Sequence, residues 1–205
     1  MIHPMNGTHQ PHPPNSDTIA LIEAAKGGDQ SAYAALYDQF APGVYRLAYS
    51  ILLHKHDAED VMQESMVYAF RALPDYDYRR AGFRTWLYHI TVSRCRNARR
   101  RKWLPTVRLS HLLSLGLEPA GDDSPDADAE WSNARETLAR AFARLSPRLR
   151  EALALRYGKD LTYREMADIL GCPQKTAESR VRLAHQALRA GLSEADAALL
   201  EQFAY

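Results

Sequence analysis

Cysteine is scarce in this chain. Its 205 residues include two, Cys95 and Cys172, too few for a disulfide framework and in keeping with a reducing compartment. Long apolar runs are missing as well. No stretch is long enough to span a bilayer, and the N-terminus lacks the charged-then-apolar pattern of a signal peptide. A cytoplasmic protein with no membrane insertion is the expectation. A charge of one sign is also missing. Net charge is +1, so any basic patch must be local and offset elsewhere. There is no glycine-rich phosphate loop, no plausible nucleophile–base pair and no metal-ligand spacing, which argues against an enzyme, a small-molecule substrate and a bound cofactor. His3, His9 and His12 have no cysteine or carboxylate to complete a metal site. Asp122-Asp123 sits in a polar run with no pocket to shift its pKa values.

What the chain does have is concentrated in Leu161–Ala190. Thr162 and Glu165 have the spacing of a capping box, so a helix should start at Tyr163. Met166, Ala167, Ile169 and Leu170 give it one apolar face. Gly171 can take the left-handed conformation that ends a helix, and Pro173 cannot continue one. A second helix then runs from about Gln174 to about Ala190, with Ala177, Val181, Ala184 and Leu188 as one buried stripe. Lys175, Glu178, Ser179, Arg182 and His185 fall away from that stripe. Two short helices, a tight glycine turn and a polar, partly basic outer face make the helix-turn-helix pattern.

Upstream, residues 1–16 are rich in His, Pro and Asn and read as a disordered tail. Asp17 or Thr18 can cap a helix through Lys26, stopped by Gly27-Gly28. Asp29 or Ser31 starts the next, and Pro42-Gly43 should break or kink it before an apolar face resumes to about Leu53. Asp57 is expected to cap a helix over 58–73, which sets an inner row of Val61, Met62, Ser65, Met66 and Ala69 against an outer row of Asp60, Gln63 and Glu64. A turn-rich segment follows, then a long helix from Phe83 to Trp103 with Trp86, Leu87, Ile90 and Cys95 inward. From Arg79 to Lys102 there are nine cations and no acid. Cations beside aromatic rings suit a single nucleic-acid strand, the cations holding phosphates and the rings stacking on unpaired bases. At helical spacing with Leu87 and Ile90, Trp86 reads as core.

Residues 104–130 read as a linker. Its acidic second half offsets the arginine run in the net charge, and Leu109, Leu112, Leu113 and Leu115 suggest a short contact helix. As a coil it spans ~30 Å. A second domain, 131–192, should begin near Trp131, with Ser146-Pro147 opening a helix that Gly158 ends. Residues 193–205 suggest a last short helix. The fold class is all-α: two small helical domains, 17–103 and 131–192, joined by a flexible acidic tether.

The motifs together resemble a known family. Asp57-Ala-Glu-Asp-Val-Met-Gln-Glu-Ser65, Phe83-Arg-Thr-Trp-Leu-Tyr-His-Ile90, Leu145-Ser-Pro-Arg-Leu-Arg-Glu-Ala-Leu-Ala-Leu-Arg-Tyr157 and the segment from Leu161 to Ala190 resemble, in order, a bacterial RNA polymerase sigma factor of the extracytoplasmic-function (ECF) group. The resemblance implies a region 2-like bundle and a region 4-like helix-turn-helix. It implies that Asp60, Gln63 and Glu64 dock on core RNA polymerase. It implies that Arg79, Arg80, Phe83, Arg84, His89, Ser93, Arg94, Arg96 and Asn97 hold the minus-ten strand of promoter DNA. Gln174, Lys175, Thr176, Glu178, Ser179, Arg180, Arg182 and His185 would read the minus-thirty-five element. An anti-sigma factor is the further partner it implies. The chain departs from the group's pattern at Lys175, where glycine is frequent, and at Leu183 and His185, where arginines are. A stand-alone helix-turn-helix repressor or activator would explain residues 131–190 and leave the outer row at Asp60, Gln63 and Glu64 idle.

Overall fold

The computed structural model describes residues 16–103, 139–159 and 161–191. The expected tail up to position 15, the leucine cluster at Leu109–Leu115 and the expected helix over 193–205 lie outside the described residues. The fold is all-α, and no strand occurs among the described residues. Helices α1 (Ser16–Lys26), α2 (Gln30–Leu52), α3 (Lys55–Ala72) and α4 (Phe83–Trp103) form an N-terminal bundle, with a single 3-10 turn at Leu73–Asp75. A helical stretch over 139–144 leads into α5 (Pro147–Lys159), α6 (Tyr163–Leu170) and α7 (Gln174–Ala190).

Local chemistry sets most of the ends. The Asp29 carboxylate caps α2, accepting from the Ser31 N–H at 2.8 Å and the Ala32 N–H at 3.4 Å. The Ser31 hydroxyl donates to the same oxygen, and these bonds hold the Asp29 carboxyl below its usual range. Thr162 and Glu165 form the expected capping box. The Glu165 N–H donates to Thr162 Oγ1 at 3.2 Å, and the Thr162 N–H donates to Glu165 Oε2 at 2.8 Å. Gly171 closes α6 at φ 63°, the left-handed region that favours glycine.

Several expected boundaries move. Asp17 and Thr18 lie inside α1, which already starts at Ser16, so neither caps it. Pro42 does not break α2, which runs unbroken for 23 residues. The missing N–H of Pro42 costs the Asp38 carbonyl its intrahelical partner, but Ala41, Val44, Leu47 and Ala48 are buried on both sides and carry the helix through. Asp57 is not the cap of α3. The helix starts three residues earlier, at Lys55, because His54 Nδ1 accepts the Asp57 N–H at 3.3 Å. Asp57 lies instead in the first turn, where the helix dipole favours a carboxylate. Gly158 does not end α5, which continues through Lys159.

Ile22, Leu36, Val44, Leu47, Ile51, Met66 and Leu87 fill the bundle core, and Leu155, Leu161, Met166, Ile169 and Val181 fill that of the helix-turn-helix. The two cores are continuous: α2 packs on α5, and α4 packs on α6. Nothing in the hydrophobic pattern foretells this contact. The amphipathic period shows only that each helix has an inner face, not which unit covers it.

Candidate nucleic-acid interface

Helix α4 carries two chemistries. Leu87, Tyr88, Ile90, Val92 and Cys95 are buried, while His89 and Ser93 are exposed, and Arg84, Arg94, Arg96 and Asn97 are half-buried. The outward side keeps the cations seen in the sequence, but several are engaged. The Arg94 guanidinium lies 4.9 Å from the Tyr68 ring centroid and 3.5 Å from Glu64. Asn97 Oδ1 accepts from Arg100 at 3.0 Å. Arg96 reaches out of the bundle altogether, to Glu151 of α5.

Arg79 and Arg80 are exposed on the turn before α4. Asp77 orients the first of them, accepting the Arg79 N–H at 2.9 Å with Arg79 Nε at 3.3 Å. The loop beneath is pinned to the core. The Lys26 ammonium donates to the Tyr76 carbonyl at 2.8 Å, and the Tyr76 hydroxyl donates to the Ala81 carbonyl at 2.8 Å. Burial, with Asp77 adding to it, pushes the Tyr76 hydroxyl up to about 12. Phe83 departs from expectation. Its ring packs edge-on to Phe40 at 4.9 Å and to Tyr76 at 5.5 Å. It is 3% exposed, so in this conformation it anchors the start of α4 and offers no face to a base. Trp86 packs 4.8 Å from Tyr76 as part of the same cluster.

The outer row of α3 holds as a surface. Asp60 and Gln63 are exposed, and Glu64 is partly so, lying 3.5 Å from Arg94 and 3.4 Å from Arg101. The anionic row and the cationic helix therefore adjoin, with Glu64 at their border. Along α7, Ala177, Val181, Ala184 and Leu188 are buried, while Gln174, Lys175 and Arg182 are exposed. Thr176, Glu178, Ser179 and Arg180 are half-buried, and Gln174 donates to Glu178 at 3.0 Å. One Nη of Arg180 is buried without a hydrogen-bond partner. His185 is held against the domain itself: Tyr157 Oη lies 2.5 Å from its Nε2. Burial, with Arg189 adding to it, keeps His185 below the usual imidazole range, so the pair is a neutral hydrogen bond at pH 7.

This architecture, an N-terminal bundle with a cationic helix followed by a helix-turn-helix, matches known proteins over both units. The family model described as Sigma-70 region 2 matches residues 36–104, and that described as Sigma-70, region 4 matches residues 135–188. The ECF RNA polymerase sigma factor SigW of Bacillus subtilis is 30% identical over 182 residues, covering 84% of this chain and 95% of SigW. The chain belongs to the ECF sigma factors. Among solved structures, CnrH in complex with the cytosolic domain of CnrY is similar at a TM-score of 0.60 and 26% identity, covering 86% of this chain and 96% of CnrH. The sigma factor RpoE from Bartonella quintana, solved with the anti-sigma factor NepR, shares the fold at a TM-score of 0.57 and 21% identity, covering 78% and 95%. As a sigma factor, the chain directs RNA polymerase to promoters and helps to open them.

Two features of this sigma factor escaped the sequence reading. The first is Glu151, a fully buried carboxylate. The available signal was its spacing: it lies four residues before Leu155 on the apolar side of α5, where an acid has to be paired. The second is an open groove of about 340 Å³ lined by Tyr37, Asp38, Ala41, Pro42, Tyr45 and Met62. It lies between α2 and α3, with one carboxylate and no base. No helix among the described residues is long and apolar enough to cross a membrane.

Proposed function

We propose that the three surfaces divide the work of initiation. Asp60, Gln63 and Glu64 on α3 dock on core RNA polymerase. Arg79, Arg80, Arg84, His89, Ser93, Arg94, Arg96 and Asn97 hold the single strand of the minus-ten element. Gln174, Lys175, Thr176, Glu178, Ser179 and Arg182 read the minus-thirty-five duplex, with Arg180 and His185 shaping α7 from beneath. The domain limits are 17–103 and 131–192. The chain works in the cytoplasm in a stress or envelope response, performs no catalysis of its own, and is restrained by an anti-sigma factor.

The observation that carries the reading is the two-sidedness of α4. A largely apolar inner side, with Thr85 and Thr91 as its buried polar members, fixes the helix, so its acid-free outer side, with His89 and Ser93 exposed, stands rigidly beside the acidic row of α3. Cations preset on a rigid element suit a polyanion, and the neighbouring anionic row suits a basic protein surface.

Run-off transcription with purified core polymerase tests it. Reversing charge at Asp60 and Glu64 abolishes co-purification with polymerase. Replacing Arg79, Arg80 and Arg84 with alanine spares co-purification and removes permanganate reactivity at the melted bases. Normal melting by the triple variant would reject the strand-holding assignment.

A further inference from the structure

The cavity between α2 and α3 is open and has nothing in it to name an occupant. The contact between the two units is better furnished. Glu151 is 0% exposed, and both its oxygens are taken by the other domain. Its Oε2 accepts from Arg96 Nη2 at 2.8 Å and Arg96 Nε at 3.2 Å, and its Oε1 accepts from Arg99 Nη1 at 3.1 Å. Arg96 Nη2 also donates to the Leu170 carbonyl at 3.3 Å, the last residue of α6, where the helix dipole presents its negative end. Two arginines of the cationic helix are thus clamped onto the helix-turn-helix by a carboxylate and a carbonyl.

We propose that Glu151 is an internal substitute for a DNA phosphate: it latches α4 to α5 and α6, keeps the two domains closed in the free sigma factor, and must be displaced before α4 can hold a strand. That last clause rests on the assignment of Arg96 made above; the latch itself does not.

The latch is built to open. A buried ion pair gains little net stability, because dehydrating the charges offsets most of their attraction. When the domains part, Glu151 and both arginines regain water together, so no lone charge is stranded. The interface also carries a strain of its own. Arg150, next to Glu151, has its Nε buried without a partner. Burial, and Arg99 close by, weaken its hold on its proton. Three guanidiniums share one carboxylate, and the repulsion between Arg150 and Arg99 offsets part of the attraction that holds the halves together. Thirty-five residues lie between Trp103 and position 139, and a chain of that length can reach up to ~3.5 Å per residue.

Two variants of the full chain should move the equilibrium in opposite directions. Glu151→Gln keeps the shape but removes the charge and should favour the open form. Arg150→Met removes the unpartnered Nε and the repulsion and should favour the closed one. Small-angle X-ray scattering reads compactness, with circular dichroism to verify helix content. The expected order of radius of gyration is Glu151→Gln above wild type, and Arg150→Met at or below it. A fluorescein-labelled single-stranded oligonucleotide should bind Glu151→Gln about tenfold more tightly than wild type and Arg150→Met more weakly, as the open fraction changes. Equal radii for wild type and Glu151→Gln, with helix content retained, would overturn the latch. If Glu151→Gln loses its helices, Arg150→Met decides, and a larger radius for that variant would overturn it. If the radii shift as expected but oligonucleotide affinity does not, the latch stands and the assignment of Arg96 to DNA falls.

Discussion

Lys175 and Arg182 are the sharpest test of how α7 meets DNA. Both are exposed, and neither has an ion-pair partner among the described residues. They stand seven positions apart, about 10 Å along the helix and within ~20° of the same face, opposite the buried stripe of Ala177, Val181, Ala184 and Leu188. In the proposed orientation of α7, both would meet phosphates along one major groove. Each duplex phosphate neutralised adds ~0.9 to the slope of log affinity against log salt. Between 50 mM and 200 mM salt one contact is therefore worth about 3.5-fold in affinity, and two about 12-fold. The Lys175→Ala/Arg182→Ala holoenzyme should bind a promoter duplex more weakly at low salt, and its slope should fall by ~1.8. Anisotropy titrations at four or five salt concentrations measure this. Parallel lines for variant and wild type would show that neither cation meets a phosphate, even if affinity drops.

Other outcomes can be stated briefly. Gly171→Ala should lower helix-turn-helix stability by about 1 kcal/mol, since left-handed backbone alone carries the penalty and no atom lies within 4 Å of an added Cβ; Thr162→Ala should cost about as much through loss of the cap, and thermal melts followed by circular dichroism should show both. Leu87→Ala, at a fully buried site in the bundle, should cost 2–5 kcal/mol, seen as an earlier denaturant midpoint at unchanged slope. Cys95 is buried, and burial, with Glu151 adding to it, pushes its thiol from 9.0 up to about 12. The raised value means that the folded state keeps a proton the unfolded state gives up, so stability should fall as pH rises from 9 towards 12. Cys95→Ala should flatten that alkaline loss; an unchanged pH profile of unfolding would count against a thiol origin.

Where the chemistry is local, the sequence was readable. Thr162 and Glu165 are three positions apart and need only each other, and Gly171 needs only its own missing side chain, so α6 and both ends of its turn follow from a handful of letters. The α7 stripe is equally legible, because its spacing is the helical period itself. Where the outcome depended on a competition, reading failed. His54 took the capping role from Asp57, since an imidazole can accept as well as a carboxylate can. Pro42 was overruled by burial on both sides of it, a tertiary effect. Phe83 carried two valid readings, ring for a base and ring for a core, and only the positions of Phe40 and Tyr76 separate them. Glu151 is the clearest case: its partners Arg96 and Arg99 lie 55 and 52 residues away, beyond the reach of any periodic pattern.

That separation matters during synthesis. The N-terminal bundle is complete in the chain before the first residue of α5 is made, so it can assemble while translation continues. Ribosomes add ~5–20 residues per second, and for some seconds Arg96 and Arg99 leave the exit tunnel with their carboxylate still unmade, next to a particle coated in RNA phosphate. Until Glu151 follows, Arg96 and Arg99 lack the carboxylate that pairs them in the folded chain.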